Sequence, residues 1–188
     1  LLGEEAKRVV RLLNDYLEGS RHAPEAAVVT DLGNLVQDLL ALLRYQAPPS
    51  IRLDQRVEEG LACVVPPGRI RQALLNLVMN SLQALEGPSG TVTVLAERRG
   101  DVLHLEVSDD GPGFPEALLA TADQPFRTGR ESGTGLGLAT VHRTAAEFGG
   151  SLLLRNLEPR GASVVLSLPC LAPEGDRHGH GKVAEPGA

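Results

Sequence analysis

This sequence of 188 residues has no Trp, two Tyr, three Phe and one Met. A core so poor in aromatics must be built from Leu, Val and Ala. Lysine is almost missing too. Lys7 and Lys182 are the only two, so nearly all the positive charge is arginine, which reads as coding bias rather than function. A positive surplus is absent, and the formal net charge is −6. That argues against non-specific nucleic-acid binding, which depends on neutralising phosphates. It leaves room for a small anionic ligand in a local site. No apolar run approaches the length of a membrane span, and no signal peptide is present. Cys63 and Cys170 fall in no pattern. They suit a reducing compartment and imply neither a disulfide framework nor a metal cluster. The chain opens LLGEEAKRVV, without Met, and reads as part of something longer.

What is present is ordinary for a folded domain: 42% apolar and 22% charged residues, enough for one domain with an appendage. Leu2, Ala6, Val9, Leu13 and Tyr16 alternate spacings of four and three, which predicts a helix over 2–19 with a bundle-type seam. Val10, Leu12 and Leu17 add a second apolar face. Spacing alone does not choose between a helical bundle and packing on the chain's own domain. Residues 19–29 read as a linker with a short strand. Thr30-Asp31 caps a second helix to about Arg44, stopped by Pro48-Pro49. Strands are expected at 51–57 and 61–65. Pro66-Pro67-Gly68 then launches a helix that ends near Gly87-Pro88. Two strands, 91–98 and 102–108, join through a tight turn at Arg99-Gly100-Asp101. A Gly/Pro-rich loop, a helix over 136–148 and a closing hairpin at 151–156 and 162–168 complete the pattern. Beyond Pro173 the composition predicts disorder. This order predicts an α+β fold, a two-layer sandwich with helices on one face of a mixed sheet.

Three stretches carry chemistry. The first is QALLNLVMNSLQAL, residues 72–85, in which Gln72, Asn76, Asn80 and Gln83 form a column of amides on an apolar helix. A buried amide most often bonds a nearby loop. An amide carbonyl can also complete a hydrated Mg²⁺ whose other partners are nucleotide phosphates. The second is VSDDGPGFP, residues 107–115, where Asp109 ends a strand and Gly111 and Gly113 allow a sharp turn. On its own such a D-x-G-x-G is a weak signal. The third is GTGLGLA, residues 133–139, immediately before a helix. Glycines opening a helix free backbone N–H groups for an anion. No Lys-Ser/Thr follows, so it is not a Walker A loop, and the G-x-G-x-G spacing is not a dinucleotide fingerprint.

Taken in order, N-L-V-M-N-S, D-D-G-P-G-F, P-F-R-T-G-R and G-T-G-L-G-L resemble the catalytic ATP-binding domain of sensor histidine kinases, in the GHKL (Bergerat) superfamily. The resemblance runs from about Asp31 to Leu171 and looks closest to the nitrogen-regulatory type. It implies ATP and Mg²⁺ as cofactors. Asn80 matches the amide that holds Mg²⁺, with Asn76 its catalytic companion one turn earlier. Asp109 matches the acceptor of the adenine amine, and Gly111 and Gly113 the turn that makes room for the base. Gly133, Thr134, Gly135, Leu136 and Gly137 match the phosphate-side glycine segment under a mobile lid. Phe126 matches a lid aromatic, Arg130 stands where related lids carry a cation near the terminal phosphates, and Ser163 matches a hydroxyl near adenine. Where related lids read F-x-P-F, this chain has Asp123-Gln124-Pro125-Phe126, which implies a looser lid. Gln83 falls where some relatives carry a basic residue.

The resemblance also divides the chain. Residues 1–21 resemble the end of the dimerisation and phosphoacceptor hairpin, 22–30 a linker, 31–172 the catalytic domain and 173–188 a tail. The family's phosphoacceptor His motif is missing. His22, His104, His142, His178 and His180 stand in other contexts. The implied function is transfer of the ATP γ-phosphate to a His on a separate hairpin, of the same or a partner subunit. The implied partners are a response regulator receiver domain and a homodimeric parent protein, cytoplasmic and open to membrane anchoring. The alternatives are a GHKL-type ATP hydrolase and an anti-sigma-like serine kinase. Hydrolases of the superfamily carry Glu four residues before the Mg²⁺ Asn to activate water. Here that residue is Asn76, which cannot accept a proton at neutral pH.

Overall fold

A computed structural model describes residues 25–85, 89–119 and 136–170. The helix expected at 2–19, the domain boundary at 21 and the tail after 173 lie outside the described residues. The first helix, α1, spans Leu32–Arg44. It starts where Thr30-Asp31 predicts: Asp31 Oδ1 accepts the Asn34 N–H at 2.9 Å, and Oδ2 accepts Asn34 Nδ2 at 2.9 Å. Its buried face holds Leu32, Leu35, Val36, Leu39 and Leu43 as expected, with Leu40 added.

The second helix, α2, spans Pro67–Ala84. Proline suits its first turn, because the missing N–H would have no helical partner there. Pro66 at its cap has no side-chain hydrogen bond to give. Glu25 supplies one from the far end of the predicted linker, accepting the Gly68 N–H at 2.7 Å and the Arg69 N–H at 2.9 Å. A carboxylate at the positive end of a helix is favoured by the dipole as well as by the bonds.

The strands are β1 Val28–Asp31, β2 Ile51–Val57, β3 Ala62–Val65, β4 Gly90–Arg99, β5 Val102–Asp109, β6 Ser151–Asn156 and β7 Ala162–Pro169. Two shorter helices are α3, Glu116–Leu119, and α4, Leu136–Glu147. Five strands form one sheet in the order β2-β4-β5-β7-β6. β2 runs parallel to β4, and the other neighbours are antiparallel. This is the expected mixed sheet. Along β5, Leu103, Leu105, Val107 and Asp109 are buried and the residues between them are half-buried. The long helices cover the first set, and the residues of the other face are half-buried. Two features were not predicted: β1 and β3 pair as a separate antiparallel ribbon, and the loop after β5 holds the short α3. At the sheet edge, Arg44 Nη2 donates to the Leu53 carbonyl at 3.2 Å. Arg52 hydrogen-bonds Asp54 and holds its carboxyl below the usual carboxylate range. Charges on an edge strand discourage pairing with another chain.

The cysteine reading is corrected. Cys63 on β3 and Cys170 just after β7 form a disulfide, with Cα atoms 5.3 Å apart and both side chains buried. The bond joins the two-stranded ribbon to the five-stranded sheet. Its partners are 107 residues apart in sequence, so no local spacing signals it. In the chain-entropy account, closing so long a loop stabilises the fold by about 4–5 kcal/mol, an upper figure. Urea unfolding with and without dithiothreitol tests this. Reductant is expected to lower the midpoint of the wild type but not of the Cys63→Ser/Cys170→Ser variant. Identical wild-type midpoints would contradict a stabilising cross-link.

Candidate active site

The amide column on α2 is not uniform. Gln72 and Asn76 are buried, at 4% and 8% exposure, whereas Asn80 and Gln83 are exposed. The amide stripe therefore reaches the surface between Asn76 and Asn80, while Ser81, Leu82 and Leu85 keep the end of the helix in the core. Among the described residues, neither Asn76 nor Asn80 has a side-chain hydrogen-bond partner. No loop among the described residues supplies the bond that such amides ordinarily make.

The first turn of α4 lies against this pair. A Cβ built on Gly137 would stand 3.4 Å from Asn80 Oδ1, 3.6 Å from Asn80 Nδ2 and 3.7 Å from the Asn76 Cβ. Two motifs far apart in sequence thus meet, with the backbone that follows the glycine segment beside the amides. One turn beyond Asn80, the end of α2 meets the second motif, the turn after Asp109. A Cβ on Gly111 would lie 3.3 Å from Leu85 Cδ2 and 3.8 Å from the Ala84 carbonyl oxygen.

Asp109 stands at the end of β5, in phase with the buried residues Leu103, Leu105 and Val107, and is itself only 6% exposed. Gly111 N–H donates to its Oδ1 at 3.0 Å. Among the described residues this is its one hydrogen-bond donor, which leaves Oδ2 as an unmet acceptor. The neighbouring Asp110 points elsewhere and accepts the Thr91 N–H at 2.9 Å. Gly113 has φ +82, the left-handed conformation its glycine permits.

Ser163 does not join this group. Its cross-strand partner is Ser108, whereas Asp109 pairs with Ala162. Side chains alternate along a strand, so Ser163 lies on the face opposite Asp109, where it is itself fully buried. There its Oγ donates to Glu106 Oε1 at 2.6 Å and accepts Arg155 Nε at 3.2 Å. The residue in register with Asp109 has no hydroxyl. Phe126, Arg130, Gly133, Thr134 and Gly135 lie outside the described residues. Leu136 opens α4, with its side chain outside the description. Two residues without any motif hold the loop after Asp109. The Asn156 carboxamide bonds both polar groups of Phe114, and Arg160 Nε donates to the Asp110 carbonyl at 2.6 Å. Their only sequence signal is a polar residue at the end of each arm of a hairpin, which does not distinguish them from ordinary turn residues.

A buried carboxylate with a free oxygen, and the Asn76–Asn80 pair beside the first turn of α4 on the same side of a mixed sheet, define a nucleotide-binding α+β sandwich. Residues 66–172 match the family described as histidine kinase-, DNA gyrase B- and HSP90-like ATPases, and the chain belongs to that family. It is 33% identical over 171 residues to the sensor histidine kinase ZraS of Escherichia coli O157:H7, covering 90% of this chain and 37% of ZraS. It is 33% identical over 161 residues to the sensory histidine kinase/phosphatase NtrB of Salmonella typhimurium, covering 79% of this chain and 45% of NtrB. Thus the chain spans less than half the length of these relatives. Among solved structures, the nucleotide-free catalytic domain of histidine kinase ThkA superposes with a TM-score of 0.69 at 27% identity, over 77% of this chain and 95% of that one.

The packing around Asp109 makes a direct prediction. A methyl on Gly111 would come within 2.8 Å of Asp109 Oδ1, which is too close. Gly111→Ala is therefore expected to displace the carboxylate and destabilise the domain by about 1–3 kcal/mol, read from urea unfolding. An unchanged unfolding midpoint would show that the carboxylate is not confined.

Proposed function

We propose that this chain is the ATP-binding kinase part of a sensor histidine kinase, and that it directs the γ-phosphate to a histidine on a separate helical hairpin. The observation that carries the reading is the meeting of Asn76 and Asn80 of α2 with Gly137, together with the packing of the C-terminal end of α2 on the Asp109–Gly111 turn. One helix thus links the acid loop to the glycine segment.

Roles follow from the chemistry of each group. Asp109 Oδ2, an acceptor without a partner among the described residues, suits the exocyclic amine of adenine. Gly111 and Gly113 shape the turn beside the base. The backbone of 133–137, including Thr134, Gly135, Leu136 and Gly137, suits the phosphates at the start of α4. Phe126 and Arg130 are assigned to a lid over the phosphates, with Arg130 as its cation. Asn80 offers an amide oxygen at the exposed end of the column, which fits a hard cation such as Mg²⁺. Among the described residues no cluster of three His, Cys, Asp or Glu could hold a metal alone. The donor set therefore fits a cation that arrives with its nucleotide. Bound there, Mg²⁺ would neutralise phosphate charge.

The chain's own contribution is then binding, orientation and charge neutralisation. In the transfer, the bond from the γ-phosphorus to the bridging oxygen breaks as a bond to imidazole nitrogen forms, and ADP leaves. Asn76 occupies the place where a hydrolase needs a base, which favours a protein acceptor over water. The acceptor hairpin, a homodimeric parent and a response regulator as the next acceptor belong to the same proposal, as do the divisions 1–21, 22–30, 31–172 and 173–188. A cytoplasmic setting draws no support from the cysteines, because Cys63 and Cys170 are joined as a disulfide. No helix among the described residues is long and apolar enough to cross a membrane.

Labelled ATP with Mg²⁺ and a separately supplied hairpin is expected to yield acid-labile phosphohistidine on the hairpin and no label on this chain alone. Self-labelling, or steady hydrolysis without the hairpin at a comparable rate, would contradict the reading. Calorimetric titration should show Asp109→Asn binding Mg·ATP at least about tenfold more weakly, since a bond to a charged acceptor is lost. Unchanged affinity removes Asp109 from the site. Asn80→Asp is expected to change the Mg²⁺ concentration needed for binding. The same metal dependence in both proteins would refute the ligand assignment.

A further inference from the structure

We propose that Asn156 is a positioning residue for the base end of the nucleotide site, acting through the loop from Asp109 to Phe114. The inference rests on the nucleotide reading above and assigns a role to a hairpin that carries none of its motifs.

Strand register puts Val92, Asp109, Ala162 and Asn156 in one cross-strand row. Ala162, with only a methyl, stands between the carboxylate and the carboxamide, two strand spacings or about 10 Å across. Asn156 Oδ1 accepts the Phe114 N–H at 2.6 Å, and Nδ2 donates to the Phe114 carbonyl at 3.0 Å. One side chain takes both polar groups of one residue, as a neighbouring strand would. Phe114 is part-buried against the core, so the far end of the loop is fixed by packing and by two bonds. Just before it, a Cβ on Gly113 would stand 2.8 Å from Asn156 Oδ1, so the carboxamide and the loop fit only with glycine there.

The near end of the loop is held from the same hairpin. Arg160, in the β6–β7 turn, donates through Nε to the Asp110 carbonyl at 2.6 Å. Both ends are thus pinned by residues 156–160, and between them lies Gly111, whose N–H orients Asp109. Loosening either anchor frees Gly111 to move and lets the Asp109 carboxylate turn. The anchors themselves are exposed to solvent, so water replaces them at small cost to the fold. Their consequence falls on the geometry offered to a ligand, where small displacements matter.

The test is calorimetric titration of the chain with Mg·ADP, together with thermal midpoints of the nucleotide-free proteins. Asn156→Ala is expected to bind about tenfold more weakly than wild type, the effect of two lost hydrogen bonds. Its nucleotide-free midpoint should stay within about 2–4 °C of wild type, a shift of less than 1 kcal/mol. Asn156→Asp keeps the acceptor and loses the donor while ionised. An ordinary carboxyl titrates at about pH 4, so the residue is ionised from about pH 6 to about pH 8, and its deficit relative to wild type should be present and constant over that range. Arg160→Met is expected to weaken binding in the same direction. Asn156→Ala binding within about twofold of wild type overturns the proposal, as does Asn156→Asp binding as tightly as wild type. Either result leaves the nucleotide reading standing, provided the wild type binds. A wild type that binds no Mg·ADP overturns the nucleotide reading and this inference with it.

Discussion

The architecture turns on one buried carboxylate. Asp109 occupies a position that strand alternation reserves for a core side chain, yet among the described residues a single N–H answers it. Burying a carboxylate without partners is costly, and such a group persists only where the surrounding structure fixes it. The surroundings here do so. β5 is the middle strand of five, Ala162 beside Asp109 is small, and Gly111 and Leu85 close the space around its Oδ1. Under the proposed function, the free oxygen is the one that would meet a donor brought by the ligand.

The amide helix connects that element to the rest of the site. α2 is apolar enough to be buried through most of its length, which fixes its position on the sheet. Its amides then emerge in order, Gln72 and Asn76 inside, Asn80 and Gln83 outside. Asn80 thereby stands beside Gly137, while Leu85 stands beside Gly111. The rigid span between the two contacts is one helical turn and a residue, so the separation of the two halves of the site is set by helix geometry rather than by a loop. Glu25, capping the other end of α2, ties the segment before β1 to the same helix.

Much of this was legible in the amino-acid order because it is local. The Asp31 cap, the phase of Leu103, Leu105, Val107 and Asp109, and the column of amides each need only a few consecutive residues. The family resemblance added the roles, and family membership holds. What could not be read is non-local. The Cys63–Cys170 bond, the Glu25 cap and the β1–β3 pairing join residues that become neighbours only when the sheet is assembled. Ser163, which the resemblance matches to a hydroxyl near adenine, depends on strand register that the sequence does not display. It is one residue from the position in register with Asp109, and that single step puts it on the other face. Asn156 and Arg160 carry no motif, because their function depends on what faces them and not on what flanks them.

The central claim is that Asp109 reads an amine donor on the base. The measurement that bears on it most directly is the affinity of the folded chain for Mg·ATP compared with Mg·ITP, in which a carbonyl replaces the amine. A carboxylate oxygen attracts the amine and repels the carbonyl. The account predicts that ATP binds at least about tenfold more tightly than ITP, the difference made by one hydrogen bond to a charged acceptor. Equal affinities for the two nucleotides would contradict it.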